Sequence, residues 1–391
     1  MRRTHNGKMA PTIQSKILVI SDTHGSTFTC KEYADVAIHC GDLTEGSTLQ
    51  DFQHTIDQLN ALDAPLKLVI AGNHDWTLDT PTFRRKLAKD LKPEDRDQTA
   101  IEKTFGAFGQ ARNLFDAPDA RRSGVVFLEE GTHSFTVENG APLKVYASPY
   151  TPFKTDMDIS GFQYDPRGEE HDWSTIESDV DIVITHGPPR GVMDRIWDDT
   201  TAKQERVGSP GLFAAVAKAK PKMHCFGHVH STWGARKVVW NKDVGEEPSF
   251  YDAIDNGRSE TIEALSAIIT QHSDSPTSRD LKAAKRAAQD QKRKEYAARG
   301  FASTSIATEA CTQSTLFVNA AVEAGEVPWL IEIDLAEAIS TDTASTETSS
   351  SLAHAAQGIQ PAAPLSRKRK ADGWASTDED DEGWQSKRIC A

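Results

Sequence analysis

Short apolar runs recur from Ser15 to about Trp240, and most of them stop at a glycine beside a polar cluster: KILVISDTHG, DVAIHCGDLT, LKLVIAGNHD, LKVYASPY, DIVITHGPP and KMHCFGHVH. Near-continuous β-rich runs of this kind are the pattern of strands buried on both faces. The segments STLQDFQHTIDQLNAL and SPGLFAAVAKAK predict helices between them. That alternation predicts an α/β fold in which helices cover the sheet faces.

The same reading divides the chain. Residues 1–12 form a flexible N-terminus, and 13–240 form the main domain. Residues 241–310 read as a charged, partly helical insertion, because DLKAAKRAAQDQKRKEYAARG is a helix without an apolar face. STLFVNAAV and PWLIEIDL, within 311–336, predict two strands that return to the domain. Residues 337–391 are rich in Ser, Thr and Ala and hold the basic cluster SRKRK and the acidic run DEDDE. Too little apolar surface is available there to offset ordering entropy, which predicts a disordered tail.

Charge and cysteine usage exclude several classes. A formal charge of −14 over 391 residues opposes a surface built to coat nucleic acid or anionic membrane. Five cysteines without a dense pattern do not make a secreted disulfide framework, and Cys40 and Cys225 lie inside apolar runs as buried thiols. The N-terminus has basic residues but no apolar stretch after them, and no run approaches the roughly 20 apolar residues of a membrane span. The expected compartment is the cytoplasm, with the nucleus as the alternative.

Metal-binding side chains stand where the strand-like runs end. Asp22 and His24 follow KILVIS, Asp42 follows VAIHCG, Asn73 follows KLVIAG, His186 follows DIVIT, and His228 and His230 follow MHCFG. In open α/β sheets, ligands bind beyond the carboxyl ends of the strands, where loops converge. The i, i+2 spacing of Asp22 with His24 and of His228 with His230 puts both side chains of each pair on one side of extended backbone. Carboxylates, imidazoles and one amide oxygen, with no thiolate, suit Mn²⁺, Fe or Zn²⁺.

Two divalent ions about 3.5–4 Å apart hold a phosphoryl group and generate a hydroxide nucleophile near neutral pH. So short a separation needs a bridging carboxylate, and Asp42, alone on its loop, is the candidate. His74 follows Asn73 directly, so it is expected at the edge of the cluster as the general acid. Trp76 and Trp233 lie beside these motifs and read equally as base-stacking or packing residues.

The five motifs SDTHG, CGD, GNHD, THG and GHVH, in this order, resemble the calcineurin-like metallophosphoesterases. GNHDWTLD, SPYTPF, THGPPRGVMD and TLFVNAAV are similar to the metallophosphoesterase-domain-containing (MPPED-like) branch, fungal members included. The resemblance implies a four-layer α/β/β/α sandwich, with two mixed sheets flanked by helices. It implies one metal on Asp22, His24, Asp42 and His230 and a second on Asp42, Asn73, His186 and His228, with His74 as the catalytic histidine. Manganese is the favoured metal. Protein Ser/Thr phosphatases of the superfamily carry GD-x-x-DRG, whereas GDLTEGS here lacks the phosphate-gripping arginine, which lowers the weight of phosphoprotein substrates. Glu45 takes the place of the second aspartate and is a candidate to orient His74.

The expected activity is phosphodiester hydrolysis on a small or cyclic-nucleotide-like substrate. The alternatives are a phosphomonoesterase of broad specificity, or a nuclear interaction protein with a vestigial or secondary hydrolase site whose tail meets an import factor through SRKRK or a basic partner through DEDDE.

Overall fold

The computed structural model describes residues 11–90, 98–153, 160–168, 170–198, 202–265, 275–306, 313–323 and 325–337. The tail, with SRKRK and DEDDE, and nearly all of the N-terminal stretch lie outside the described residues. In chain order the strands are β1 (Thr12–Ile20), β2 (Val36–His39), β3 (Leu66–Val69), β4 (Val125–Phe127), β5 (Gly131–Thr136), β6 (Pro142–Ser148), β7 (Thr151–Pro152), β8 (Gln163–Tyr164) and β9 (Ile182–Thr185). Then come β10 (Arg195–Asp198), β11 (Lys203–Arg206), β12 (Met223–Phe226), β13 (Gly234–Val239), β14 (Glu260–Ala264), β15 (Ala302–Ile306), β16 (Ser314–Asn319) and β17 (Trp329–Ala336). The helices are α1 (Leu49–Asn60), α2 (Thr80–Asp90), α3 (Gln98–Phe105), α4 (Gln110–Leu114), α5 (Pro118–Arg122), α6 (Pro210–Ala219) and α7 (Pro276–Arg299).

Two mixed sheets carry the architecture. One has the order β15-β17-β1-β2-β3-β4 and the other β14-β13-β16-β12-β9-β6-β5. Strands β1 to β4 run parallel, as do β6, β9, β12 and β16, so their carboxyl ends fall on one edge of each sheet. These strands are apolar on both faces because both faces are covered. Ile17, Val19 and Ile38 from the first sheet meet Val145, Ile184 and Cys225 from the second in the central core. Leu18, Ile20 and Val69 face outward onto α1 and α4, and Val183, Phe226 and Phe317 face outward onto α6. The result is the four-layer α/β/β/α sandwich.

Helix α1 shows how local chemistry seats an outer layer. Thr48 caps it in a reciprocal box with Asp51, and Phe52, Thr55, Ile56 and Leu59 form its buried stripe at helical spacing. The stretch 241–310 contains α7, none of whose residues is buried. It also supplies β14 to one sheet edge and β15 to the other, where β15 runs parallel to β17. Their short, polar-rich sequences, ETIEA and ASTSI, lack the apolar runs that marked the central strands. Among the described residues no helix is long and apolar enough to cross a membrane.

Replacing Phe52, which is fully buried against Phe115 at a ring separation of 6.1 Å, by alanine leaves a cavity under α1. The expected cost is about 3–5 kcal/mol, read as a lower urea midpoint with unchanged slope. A second prediction concerns acid. His224 on β12 is fully buried, and burial pushes its imidazole down to about 3. Its folded value lies below the unfolded one, so its contribution to stability is complete above about pH 6.5 and is lost as pH falls toward 3. His224→Gln should flatten the stability-against-pH slope between pH 6 and 4 by up to about 1.4 kcal/mol per pH unit. Parallel slopes for the two proteins would contradict this.

Candidate metal centre

The turns after β1, β2, β3, β9 and β12 converge where the carboxyl ends of both sheets meet. Backbone hydrogen bonds stitch them together: Asp22 N–H donates to Gly41 O at 3.0 Å, His24 N–H to Asp42 O at 3.1 Å, and Gly227 N–H to His186 O at 3.0 Å. Asp22, His24, Asp42 and His228 all take left-handed backbone, with φ of 55°, 46°, 51° and 66°. Non-glycine residues rarely adopt it, and such strain collects at functional sites. Gly227 and Gly72 allow the close approach. A Cβ on Gly227 would lie 1.8 Å from Asp22 Oδ2, and one on Gly72 would lie 2.3 Å from Asp42 Oδ1.

The side chains gather in two groups that share Asp42. Asp22, His24, Asp42 and His230 offer one ligand atom each, all within 4.8 Å of one another, and so do Asp42, His186 and His228. Asn73 Oδ1 stands 2.9 Å from His186 Nε2, which places the amide oxygen beside the second group. All seven residues singled out from the sequence are therefore brought together. His186 donates from Nδ1 to Cys40 O at 2.9 Å, which leaves Nε2 facing Asp42 Oδ2 at 3.2 Å.

Burial and charge shape the titrations. Burial opposes ionisation of Asp22, but its bond to His230 and the His186 charge hold the carboxyl below its usual value. Burial likewise opposes the charge on His186, yet the Asp42 carboxylate beside it holds the imidazole at about 9. His228 goes the other way, pushed down to about 4 by burial and then by the His186 charge. These donors fit divalent cations. Two buried carboxylates and four imidazoles face one another, and neither ring nitrogen of His24 makes an aligned hydrogen bond.

His74 stands at the rim, 38% exposed, with its backbone N–H donating to Asp42 Oδ1 at 2.8 Å and its ring 4.6 Å from that of His24. Glu45 reaches both, with Oε2 2.9 Å from His24 Nδ1 and 3.4 Å from His74 Nδ1. Trp233 is no base-stacking platform. It is fully buried, stacks on Trp329 at 5.1 Å and donates to Val327 O, because the turn after His230 aims it between the sheets. Trp76 packs against Phe83 and Phe105.

Three further residues shape the site and went unremarked in the sequence. Asp75 is buried and accepts from the backbone N–H groups of Leu43, Thr44 and Gly72 and from the Thr44 hydroxyl, which locks the Asp42 turn to the Asn73 turn. Burial, then the neighbouring Asp42 charge, push its carboxyl up to about 7 against those donors. The last position of GNHD was the available signal. Asn319 donates to Val229 O and Thr232 Oγ1, and so holds the turn between His228 and His230. Glu323 pairs with His230 Nδ1 and lies 4.0 Å from His24 Nε2. Glu323 directly follows the run STLFVNAAV, and that predicted strand ending was the available signal.

Comparison with known proteins gives this geometry its context. The chain is 31% identical over 232 residues to human metallophosphoesterase domain-containing protein 1, a match covering 57% of this chain and 63% of that protein. It is 29% identical over 246 residues to a probable rhamnogalacturonate lyase C of Emericella nidulans, covering 62% of this chain and 19% of that one. The matched segment thus spans less than two thirds of either relative. A family model, calcineurin-like phosphoesterase, matches residues 15–232. Those residues include every one of the seven converging side chains, and the chain belongs to the calcineurin-like phosphoesterase family.

Proposed function

We propose that this chain is a metal-dependent phosphoester hydrolase that acts on small phosphodiesters, including cyclic-nucleotide-like ones. The observation that carries the reading is the sharing of Asp42 between two ligand groups, which is the arrangement a pair of closely spaced cations requires. Asp22, His24, Asp42 and His230 would hold one ion, and Asp42, Asn73, His186 and His228 the other. When bound, such ions polarise the phosphoryl group and lower the pKa of water. The thiolate-free donor set suits Mn²⁺, Fe or Zn²⁺, and of these we favour Mn²⁺.

The chain's own groups supply the rest. His74, exposed beside the cluster, is placed to donate a proton to the departing oxygen, and Glu45 orients its ring from Nδ1. Glu45 Oε2 also lies 2.9 Å from His24 Nδ1, which offers that imidazole a charge partner on the side away from Asp42. Glu323 likewise pairs with His230 Nδ1. These two rim carboxylates favour a singly charged diester over a doubly charged monoester, since each would repel the monoester more strongly. Buried free thiols at Cys40 and Cys225 fit a reducing compartment, cytoplasmic or nuclear.

The test is turnover of purified protein supplied with Mn²⁺ against bis-p-nitrophenyl phosphate, p-nitrophenyl phosphate and cyclic nucleotides. The diester should show the higher kcat/KM, and a chelator should abolish turnover until Mn²⁺ is restored. His74→Ala should lower kcat by about 10²–10⁴ while bound metal stays unchanged. Asp42→Ala should lose both turnover and metal. Equal product release by wild type and both variants would end the proposal. Gly227→Ala is expected to displace the Asp22 carboxylate, and elemental analysis should find less metal on it than on wild type.

A further inference from the structure

A cavity of about 300 Å³, lined by Arg195, Arg206, Arg236, Asp194, Thr232 and Met193 among others, shares two loops with the candidate metal centre. Two ligand-bearing loops form its wall. Thr232 closes the short turn that begins at His230, and its hydroxyl donates to Met193 O, in the loop that follows His186. The charges in the wall do not cancel. Arg206 is paired with Asp194 Oδ1 and lies over the Phe250 ring at 4.5 Å, while Asp194 Oδ2 is buried without a hydrogen-bond partner. Glu263, also in the wall, is engaged by Gln289, Tyr296 and Lys292. Arg195 donates to the neutral Gln204.

Arg236 is left over. Its one hydrogen bond among the described residues is donated to the neutral Asn256 at 2.9 Å, and no described carboxylate lies within ion-pair distance of it. Burial and then the Arg206 charge act against its guanidinium. Asp194 balances Arg206 but leaves Arg236 without a charge partner, and a half-buried cation so placed is costly. Two guanidiniums also present the fork of N–H donors that matches phosphate or carboxylate oxygens.

We infer that this cavity binds an oxyanion, a phosphate or carboxylate group, through Arg236 and Arg206. Its position points to a second anionic group of the substrate, carried beyond the ester that reacts. That assignment rests on the hydrolase reading of the neighbouring centre, whereas the anion site itself does not.

The probe is inorganic phosphate, titrated calorimetrically into the full-length protein after chelation, so that bound metal cannot contribute. Wild type should bind phosphate with an affinity that falls as salt rises. Arg236→Met should weaken binding at least tenfold, with Arg236→Lys between the two. The melting temperature of Arg236→Met without phosphate should equal or exceed that of wild type, because a cation lacking a counterion has been removed. Its phosphate-induced rise should be gone. No binding by chelated wild type, or equal binding by Arg236→Met, overturns the inference.

A kinetic arm separates the sources of the anion. If the site holds part of the substrate, Arg236→Met should raise KM at least tenfold more for a p-nitrophenyl diester bearing a terminal phosphate than for one without it. If the site takes free phosphate, the two KM values should move together while phosphate loses its effect on rate. A protein that binds phosphate through Arg236 but hydrolyses no ester would sink the hydrolase reading and keep this site. One that hydrolyses diesters but binds no phosphate when chelated would do the reverse.

Discussion

Two carboxylates with almost no exposure, Asp22 and Asp42, face imidazoles supplied by strands of both sheets, and the rest of the molecule is arranged around keeping them there. An ion removed from water costs several kcal/mol unless opposite charge and hydrogen bonds surround it. Here His230 Nε2 lies 3.1 Å from Asp22 Oδ1 and His186 Nε2 lies 3.2 Å from Asp42 Oδ2. Backbone N–H groups of His228 and His74 add donors to the same carboxylates. An imidazole lone pair is open to a cation only once its proton has left. Cation affinity at such a site is therefore tied to pH, and the raised values of His186 and His230 say that protons compete for it.

The backbone accepts strain to achieve this. Left-handed conformations at four candidate ligands each cost of order 1 kcal/mol or more and persist only where surroundings over-determine them. The surroundings are the turn-to-turn hydrogen bonds and the carboxylate of Asp75, which gathers four donors from two loops. Glycines at 72 and 227 then let backbone pass within contact of the ligand carboxylates, where any side chain would displace them.

Much of this was legible in the sequence, for a definite reason. Central strands covered on both faces read as continuous apolar runs, and their ends are where polar residues become conspicuous, so Asp22, Asp42, Asn73, His186 and His228 announced themselves. What escaped has the opposite character. Strands β14 and β15 lie at sheet edges, half-covered and polar, with no run to mark them. Asn319 and Glu323 act through contacts with residues about 90 positions away in sequence, which spacing does not encode. Trp233 was ambiguous because its neighbours in sequence are site residues while its neighbours in space are Trp329 and the central core.

That last ambiguity leads to how stability and function are joined here. No single sheet owns the centre: Asp22, His24, Asp42 and Asn73 follow strands of one, and His186, His228 and His230 follow strands of the other. The distances between these groups are therefore set by how the two sheets pack, through Ile17, Val145, Cys225, Trp233 and Trp329 in the layer between them. A core that packs like a crystal transmits small volume changes instead of absorbing them. Substitutions in the middle layer should thus loosen the centre even when they touch none of its ligands. Those in the outer layers, under α1 or α6, act chiefly through the global folding equilibrium, except where α1 reaches the Asp42 turn itself: Thr55 Oγ1 donates to Leu43 O at 2.8 Å.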